Sequence, residues 1–246
     1  MDFKPTSIMG TYGAPHIPQK DLTYIWDFSN PKCINDISGA YGNELFTQTN
    51  LDPTNGATIH SGSSAINNYL EVDGNNDECP TGIDVSWNNT NSVSWAFWFN
   101  PTTGVATGGI LGKQDSQWEW SFWQSSNDLR LVYWNSSGGH TNGMDFGIDG
   151  IENDEWNFGA YTWDHTTSGA KFYLYNSNQT NTQTHTATNP SINQNRSNQF
   201  CLGGAIYTWS DKYWGGDIGS VYLYERTLND SEINRIYNGT KSKFGL

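Results

Sequence analysis

Positive charge is scarce in this chain. Twelve Lys and Arg stand against 25 Asp and Glu over 246 residues, a formal net charge of −13. Nucleic-acid backbones are held by Lys and Arg that displace counterions, and no basic stripe offsets the deficit, so nucleic-acid binding is excluded. Charged residues of both signs make up only 15%, against about 25% in an ordinary globular protein. Long apolar runs are also missing: none approaches the roughly 20 residues a membrane-spanning helix needs, which predicts no membrane insertion. The opening MDFKPTSIMG lacks a basic segment followed by an apolar one, which predicts no secretory signal and synthesis as a soluble cytoplasmic chain. Cysteine is sparse and odd in number. Cys33, Cys79 and Cys201 form no C-x-x-C pair, so neither a complete disulfide framework nor a zinc site fits, and buried thiols are expected.

What fills the space is aromatic. Trp, Tyr and Phe reach 15%, and these residues favour strands and fill wide sheet-on-sheet cores. Residues 1–20 carry Pro5, Pro15 and Pro18 with Gly10 and Gly13, a composition that defeats helix and central strand alike. We read them as an arm, either frayed or ordered on a partner. Short strand-like runs separated by turn clusters then continue to the end. SVSWAFWFN places Val93, Trp95, Phe97 and Phe99 on one face, with Trp98 an apolar exception on the other. WEWSFW places Trp118, Trp120 and Phe122 together, and LRLVYW, WNFGAYTW and KFYLYN repeat the alternation. Without linker or internal repeat, one all-β two-sheet sandwich over residues 21–246 is expected.

The last segment changes period. In IGSVYLYE the alternation sets Val221 and Leu223 on one face and Ile218, Tyr222 and Tyr224 on the other. Asn229 then has the place of an N-cap and Glu232 that of its capping-box partner, with Leu228 and Ile233 spaced as a hydrophobic staple. Ile233, Ile236 and Tyr237 form one apolar stripe and Gly239 marks a stop. About ten residues cannot stand alone as a helix in water, so this helix must lie on the sandwich.

These motifs, in this order, resemble the concanavalin A-like, laminin-G-like jelly-roll modules of marine bacteriophage structural proteins. The final strand and helix are similar to the family's closing pattern through Gly216, Ile218, Val221, Tyr224, Arg226, Leu228, Glu232, Ile233, Tyr237, Asn238, Lys243, Phe244 and Gly245. YIWDFSNPKCINDISG resembles its opening strand through Asp27, Asn30, Pro31, Asp36, Ser38 and Gly39. LEVDGNNDE, SVSWAFWFNP and DEWNFGAYTWD resemble its central motifs. The loop between Asp27 and Asp36 is shorter than usual, and GAYG stands where a Gly-Asn repeat is common. The resemblance implies a jelly roll with one C-terminal helix. It also implies a virion location, as a capsid decoration, fibre or tail component, oligomeric in the assembly and contacting other virion proteins through the arm.

The same fold hosts glucanases, which need two carboxyl groups about 5 Å apart when they retain configuration. The E-x-D-x-E alternation of family-sixteen glucanases is absent. Glu152-Asn153-Asp154-Glu155 is out of phase, and Glu119 has no carboxylate two residues away. His16, His60, His140, His165 and His185 are scattered in polar or turn surroundings. A non-enzymatic protein is therefore expected, with a divergent glucanase as the third reading behind a stand-alone lectin.

Two binding chemistries remain. Related jelly rolls often hold calcium between loops at the chain's start and end, and the matching acids are Asp27, Asp36 and Asp217; the alternative is that they bond local backbone. Host-surface glycan would stack on rings flanked by polar groups. The loop Ala205–Gly216 offers Tyr207, Trp209, Tyr213 and Trp214, and Val132–Gly143 offers Trp134 and Asn135. The alternative is that these rings cover the sandwich or pack on a neighbouring subunit.

Overall fold

The computed structural model describes residues 17–18, 20–28, 57–63, 67–77, 79–81, 91–114, 118–133, 146–186, 200–203 and 213–246. In chain order the strands are β1 (Leu22–Trp26), β2 (Thr58–His60), β3 (Tyr69–Asp73), β4 (Cys79–Pro80), β5 (Val93–Pro101), β6 (Gly108–Gln114) and β7 (Trp118–Ser125). They continue as β8 (Asp128–Tyr133), β9 (Phe146–Asp149), β10 (Asn157–Asp164), β11 (Gly169–Tyr175), β12 (Thr180–Thr186), β13 (Phe200–Leu202) and β14 (Gly215–Tyr224). Helix α1 (Asp230–Thr240) and a single 3-10 turn (Lys241–Lys243) close the chain.

Among the described residues the strand pairings are antiparallel and build two sheets. The larger runs β12-β11-β10-β5-β14-β3-β2, with β1 on the second half of β14, and the smaller runs β4-β13-β6-β7-β8-β9. The alternation of β5 decides which side faces in. Val93, Trp95, Phe97 and Phe99 join the core between the sheets, as their spacing predicts, and meet Trp120, Phe122, Leu129, Leu131 and Phe200 from the smaller sheet. Ring centroids lie 5.0 Å apart for Trp95–Trp120 and 5.2 Å for Phe97–Phe122, close enough for aromatic pairing to add to area burial. Cys79 and Cys201 are buried thiols.

The opposite face of β5 explains Trp98. It is fully buried in a second core, on the outside of the larger sheet, together with Phe158, Tyr173, Tyr222, Tyr224, Ile233, Ile236 and Phe244. Phe244 stacks on its ring at 4.6 Å, Tyr237 lies 5.7 Å away, and the Trp98 Nε1 donates to Thr240 Oγ1 at 2.9 Å. Helix α1 and its 3-10 turn are thus a lid on the outer face. Ile17 is buried in the same cluster, so this part of residues 1–20 lies on the domain.

Two details depart from the sequence pattern. Ile218 faces the inter-sheet core with Val221 and Leu223, not the outer face with Tyr222 and Tyr224. A register shift between Ile218 and Val221 against β5 inserts a bulge that inverts the alternation. The bulge contains Gly219, where a Cβ would overlap the Phe244 ring. Glycine here therefore admits the lid. Gly239 does not end the helix, which runs on to Thr240, whose hydroxyl donates back to the Ile236 carbonyl at 2.7 Å.

Phe244 is buried against both Trp98, at 4.6 Å, and Trp156, at 4.7 Å, so Phe244→Ala is expected to cost about 3–5 kcal/mol. Urea unfolding followed by tryptophan fluorescence measures this.

Candidate functional site

The segment between β14 and α1 is tied to the sheet at every step. The Ser94 hydroxyl donates to the Arg226 carbonyl at 2.8 Å and accepts from the Leu228 amide at 2.8 Å. Thr227 Oγ1 donates to the Trp163 carbonyl at 2.9 Å. Arg226 forks onto Glu232 at 2.8 and 2.6 Å, and its Nε donates to the Lys20 carbonyl at 3.0 Å. Asn229 and Glu232 complete the predicted capping box, each side chain accepting the other's backbone N–H at 3.1 Å. The start of α1 is thereby fixed over β10 and β11.

Between them lies a cleft of about 500 Å³, lined by Thr162, Asp164, Thr167, Lys171, Tyr173, Thr184, Asn229, Asp230 and Ser231 among others. This lies within the common size range of ligand pockets, roughly 300–1,000 Å³. Asp230, in the first turn of α1, links the helix to β11 across it. It accepts from Lys171 Nζ at 2.8 and 3.2 Å and from the Tyr173 hydroxyl at 2.7 Å. Lys171 and then Tyr173 hold the Asp230 carboxyl below its usual range. Burial, and then the Asp230 hydrogen bond, push the Tyr173 phenol far up, so it stays a donor. Asp164 accepts from the Thr166 amide at 2.9 Å and hydroxyl at 2.7 Å, and from the Thr167 hydroxyl at 2.9 Å. Those bonds, the Thr166 hydroxyl foremost, pull its carboxyl down as well. Both cleft carboxylates are therefore ionised at neutral pH. They accept hydrogen bonds well, but neither serves as the protonated acid that glycoside cleavage requires.

A second polar patch lies on the same outer face, across β14. Asp217 stands opposite both Glu71 and Asn100 in register and accepts from Asn100 Nδ2 at 3.2 Å. Burial first, and the Glu71 carboxylate second, push Asp217 up to about 6. Glu71 is paired with His60 Nε2 at 2.6 Å, and the His60 ring stacks on Tyr69 at 5.5 Å.

The sequence-predicted residues are dispersed. Asp27 is buried with Lys243 Nζ 3.7 Å from its carboxylate, while Asp217 has Asn100; Asp36 lies outside the described residues. Among the described residues no three His, Cys, Asp or Glu side chains gather to hold a metal. Trp214 is not an open ring: it is fully buried, its Nε1 donates to Gln124 Oε1 at 2.8 Å, and it meets Phe99 edge-on at 6.4 Å. Gly215 and Gly216 after it are the first residues of β14, so the indole sits at the strand's start. Tyr213 is half-buried and bridges to Gly109. Tyr207, Trp209, Trp134 and Asn135 lie outside the described residues. Sequence reading missed Lys171, Tyr173 and Asp230. The alternation of KFYLYN sets Lys171 and Tyr173 on one face, but their partner Asp230 is 57 residues beyond Tyr173.

Comparison with known proteins adds the family. The family model Laminin_G_3, of the concanavalin A-like lectin/glucanases superfamily, matches residues 73–234. The chain belongs to this family. No curated protein matches it in sequence. Among solved structures, it is similar to domain 4 of AbnA, a GH43 extracellular arabinanase from Geobacillus stearothermophilus, in complex with arabinotriose. That match has 20% identity and a TM-score of 0.53, covering 87% of this chain and 96% of the other. It is also similar to the CBM40 of Ruminococcus gnavus IT-sialidase bound to alpha2,3 sialyllactose, with 12% identity, a TM-score of 0.52, and coverage of 68% and 95%. The binding domain of botulinum neurotoxin DC in complex with SialylT gives 13% identity, a TM-score of 0.55, and coverage of 89% and 52%. At these identities the likenesses show the laminin G-like jelly roll and nothing finer.

The raised Asp217 sets a sign for pH dependence. Between pH 4 and pH 6 the folded state keeps a proton that an unfolded Asp, with pKa 3.8, has released, so this group's contribution to stability falls as pH rises through that window. Asp217→Asn is expected to raise Tm relative to the parent at pH 7, with the difference shrinking toward pH 4. Scanning calorimetry at both pH values checks it.

Proposed function

We propose that this laminin G-like protein is a non-enzymatic carbohydrate-binding module that takes a short glycan in the cleft between β10, β11 and the start of α1. The observation that carries this is the fixed group of Asp230, Lys171 and Tyr173, ringed by the hydroxyls of Thr167, Thr184 and Ser231. A sugar presents adjacent hydroxyls that both donate and accept. An ionised carboxylate, an ammonium and several hydroxyls held in place meet that pattern with charge-assisted hydrogen bonds. Pre-ordering by the capping box and the Arg226–Glu232 fork lowers the entropy lost on binding. Membership in a superfamily of lectins and glucanases supports the reading, as do the arabinotriose- and sialyllactose-bound neighbours. The sequence resemblance to phage structural proteins supplies its setting: display on a virion, through the residues that precede β1, toward host-surface glycan.

Hydrolysis is the second reading, favoured by one observation: Asp217, pushed up to about 6, stands directly across from the Glu71 carboxyl group, so one member of a facing carboxyl pair keeps its proton to a higher pH than an ordinary Asp. The cleft at Asp230 has no such pair.

A glycan array followed by calorimetry with the best hit tests the proposal. Removing a hydrogen bond to a charged group costs about 1.5–3 kcal/mol, so Asp230→Asn and Lys171→Met should each weaken binding at least about tenfold. Unchanged affinity in both variants would place the glycan elsewhere, and an empty array would remove the binding reading. Release of reducing ends from the bound glycan, lost in Asp217→Asn and Glu71→Gln, would replace binding with hydrolysis.

A further inference from the structure

The turn after β3 holds a carboxylate oxygen whose burial nothing in the glycan reading uses. Asp73-Gly74-Asn75-Asn76-Asp77 places oxygen-bearing side chains at alternate positions, Asp73, Asn75 and Asp77. This is the spacing by which a short loop wraps a calcium ion, with Glu78 where the six-residue pattern has glycine. Gly74 adopts φ +78°, which bends the chain back on itself. Taken alone this is an acidic turn: Asp73 Oδ1 accepts from the Asn75 amide at 2.8 Å, as in many Asx turns.

The second observation is Asp77. It is 3% exposed, and its Oδ2 accepts from the Asp73 amide at 2.9 Å. Its Oδ1 is buried with no hydrogen-bond partner. An unpartnered carboxylate oxygen out of water is costly unless a cation or proton meets it. The neighbours of Asp77 are of the wrong sign to do so: the charges of Asp73 and Glu71 both act to raise its pKa. No lysine or arginine stands in that set.

We propose that the Asp73–Asp77 turn is a calcium site, with Asp77 Oδ1, the Asp73 carboxylate and the Asn75 amide oxygen as side-chain ligands and water or backbone carbonyls completing the shell. Two carboxylates make a weak site, with a Kd of about 10⁻⁴ to 10⁻³ M, the range of extracellular modules. This site is distinct from the one predicted at Asp27, Asp36 and Asp217, and independent of the glycan cleft.

The test uses the full chain after dialysis against chelator, with calcium and terbium as probes. Trp214 precedes Gly215, whose backbone approaches Gly74, so a bound terbium ion is expected to give tryptophan-sensitised luminescence that calcium displaces. About 10 mM calcium should raise Tm by about 3–11 °C across that Kd range. Asp77→Asn should abolish both responses, and Asp73→Ala, at an exposed position that leaves the core intact, should weaken them about tenfold. Asp27→Asn should leave them unchanged. The proposal fails if calcium moves neither readout, if Asp77→Asn keeps the response, or if only Asp27→Asn removes it. It also fails if lowering pH from 7 to 5 stabilises the parent but not Asp77→Asn while calcium has no effect, since a proton then satisfies Asp77.

Discussion

The structure depends on how Trp98 is covered. A strand with aromatic residues on both faces needs a cover on each, and the smaller sheet supplies only one. The other comes from the chain's last turns, where Phe244 and Tyr237 close over the indole and Thr240 accepts its N–H. An indole N–H buried without a partner is costly, while the bond itself adds only about 1 kcal/mol net. The hydrogen bond therefore acts mainly as a condition on register. In the position where Thr240 meets Trp98, the absence of a Cβ at Gly219 leaves room for the Phe244 ring.

Once the lid's end is set, its beginning follows. Helix α1 is eleven residues long, about 16 Å at 1.5 Å per residue. It therefore carries its N-terminus from Trp98 out to β11. There Asp230 meets Lys171 and Tyr173, and Arg226 and Glu232 pair with side chains that are 20% and 18% exposed. At that depth a bidentate guanidinium–carboxylate pair is partly shielded from solvent and acts as a geometric pin more than as a source of stability. The cleft is therefore a consequence of how the lid is clamped at both ends.

The legibility of the sequence tracks the range of the cause. The β5 alternation, the capping box and the staple are local, and each appears in the structure where spacing placed it. Ile218 was assigned to the wrong face because a bulge is a property of two strands, which one strand's alternation cannot display. Trp214 looked like an open ring because its neighbours are Gly and polar residues; its burial depends on Gln124, 90 residues away. Asp230 carries no signal of its own in the sequence, because its partners Lys171 and Tyr173 lie on β11, 59 and 57 residues earlier. The missed residues all draw their role from a partner across the sheet.

The interior explains why ligand chemistry is displaced outward. Trp95 has Trp120 at 5.0 Å, Phe200 at 5.1 Å and Phe122 at 6.1 Å, and Tyr161 packs on Phe172 at 4.8 Å. Rings at these distances fill the space between the sheets, and interiors packed to this degree do not open for a ligand without losing the contacts that hold them. Polar groups that could recognise a ligand then have only the outer face and the turns. On the outer face the lid walls off one side and leaves uncovered the strip carrying Lys171 and Thr184. The aromatic excess thus limits the options for function: it builds the core and forces the lid, and the lid's edge leaves the cleft where Asp230 is exposed to a ligand.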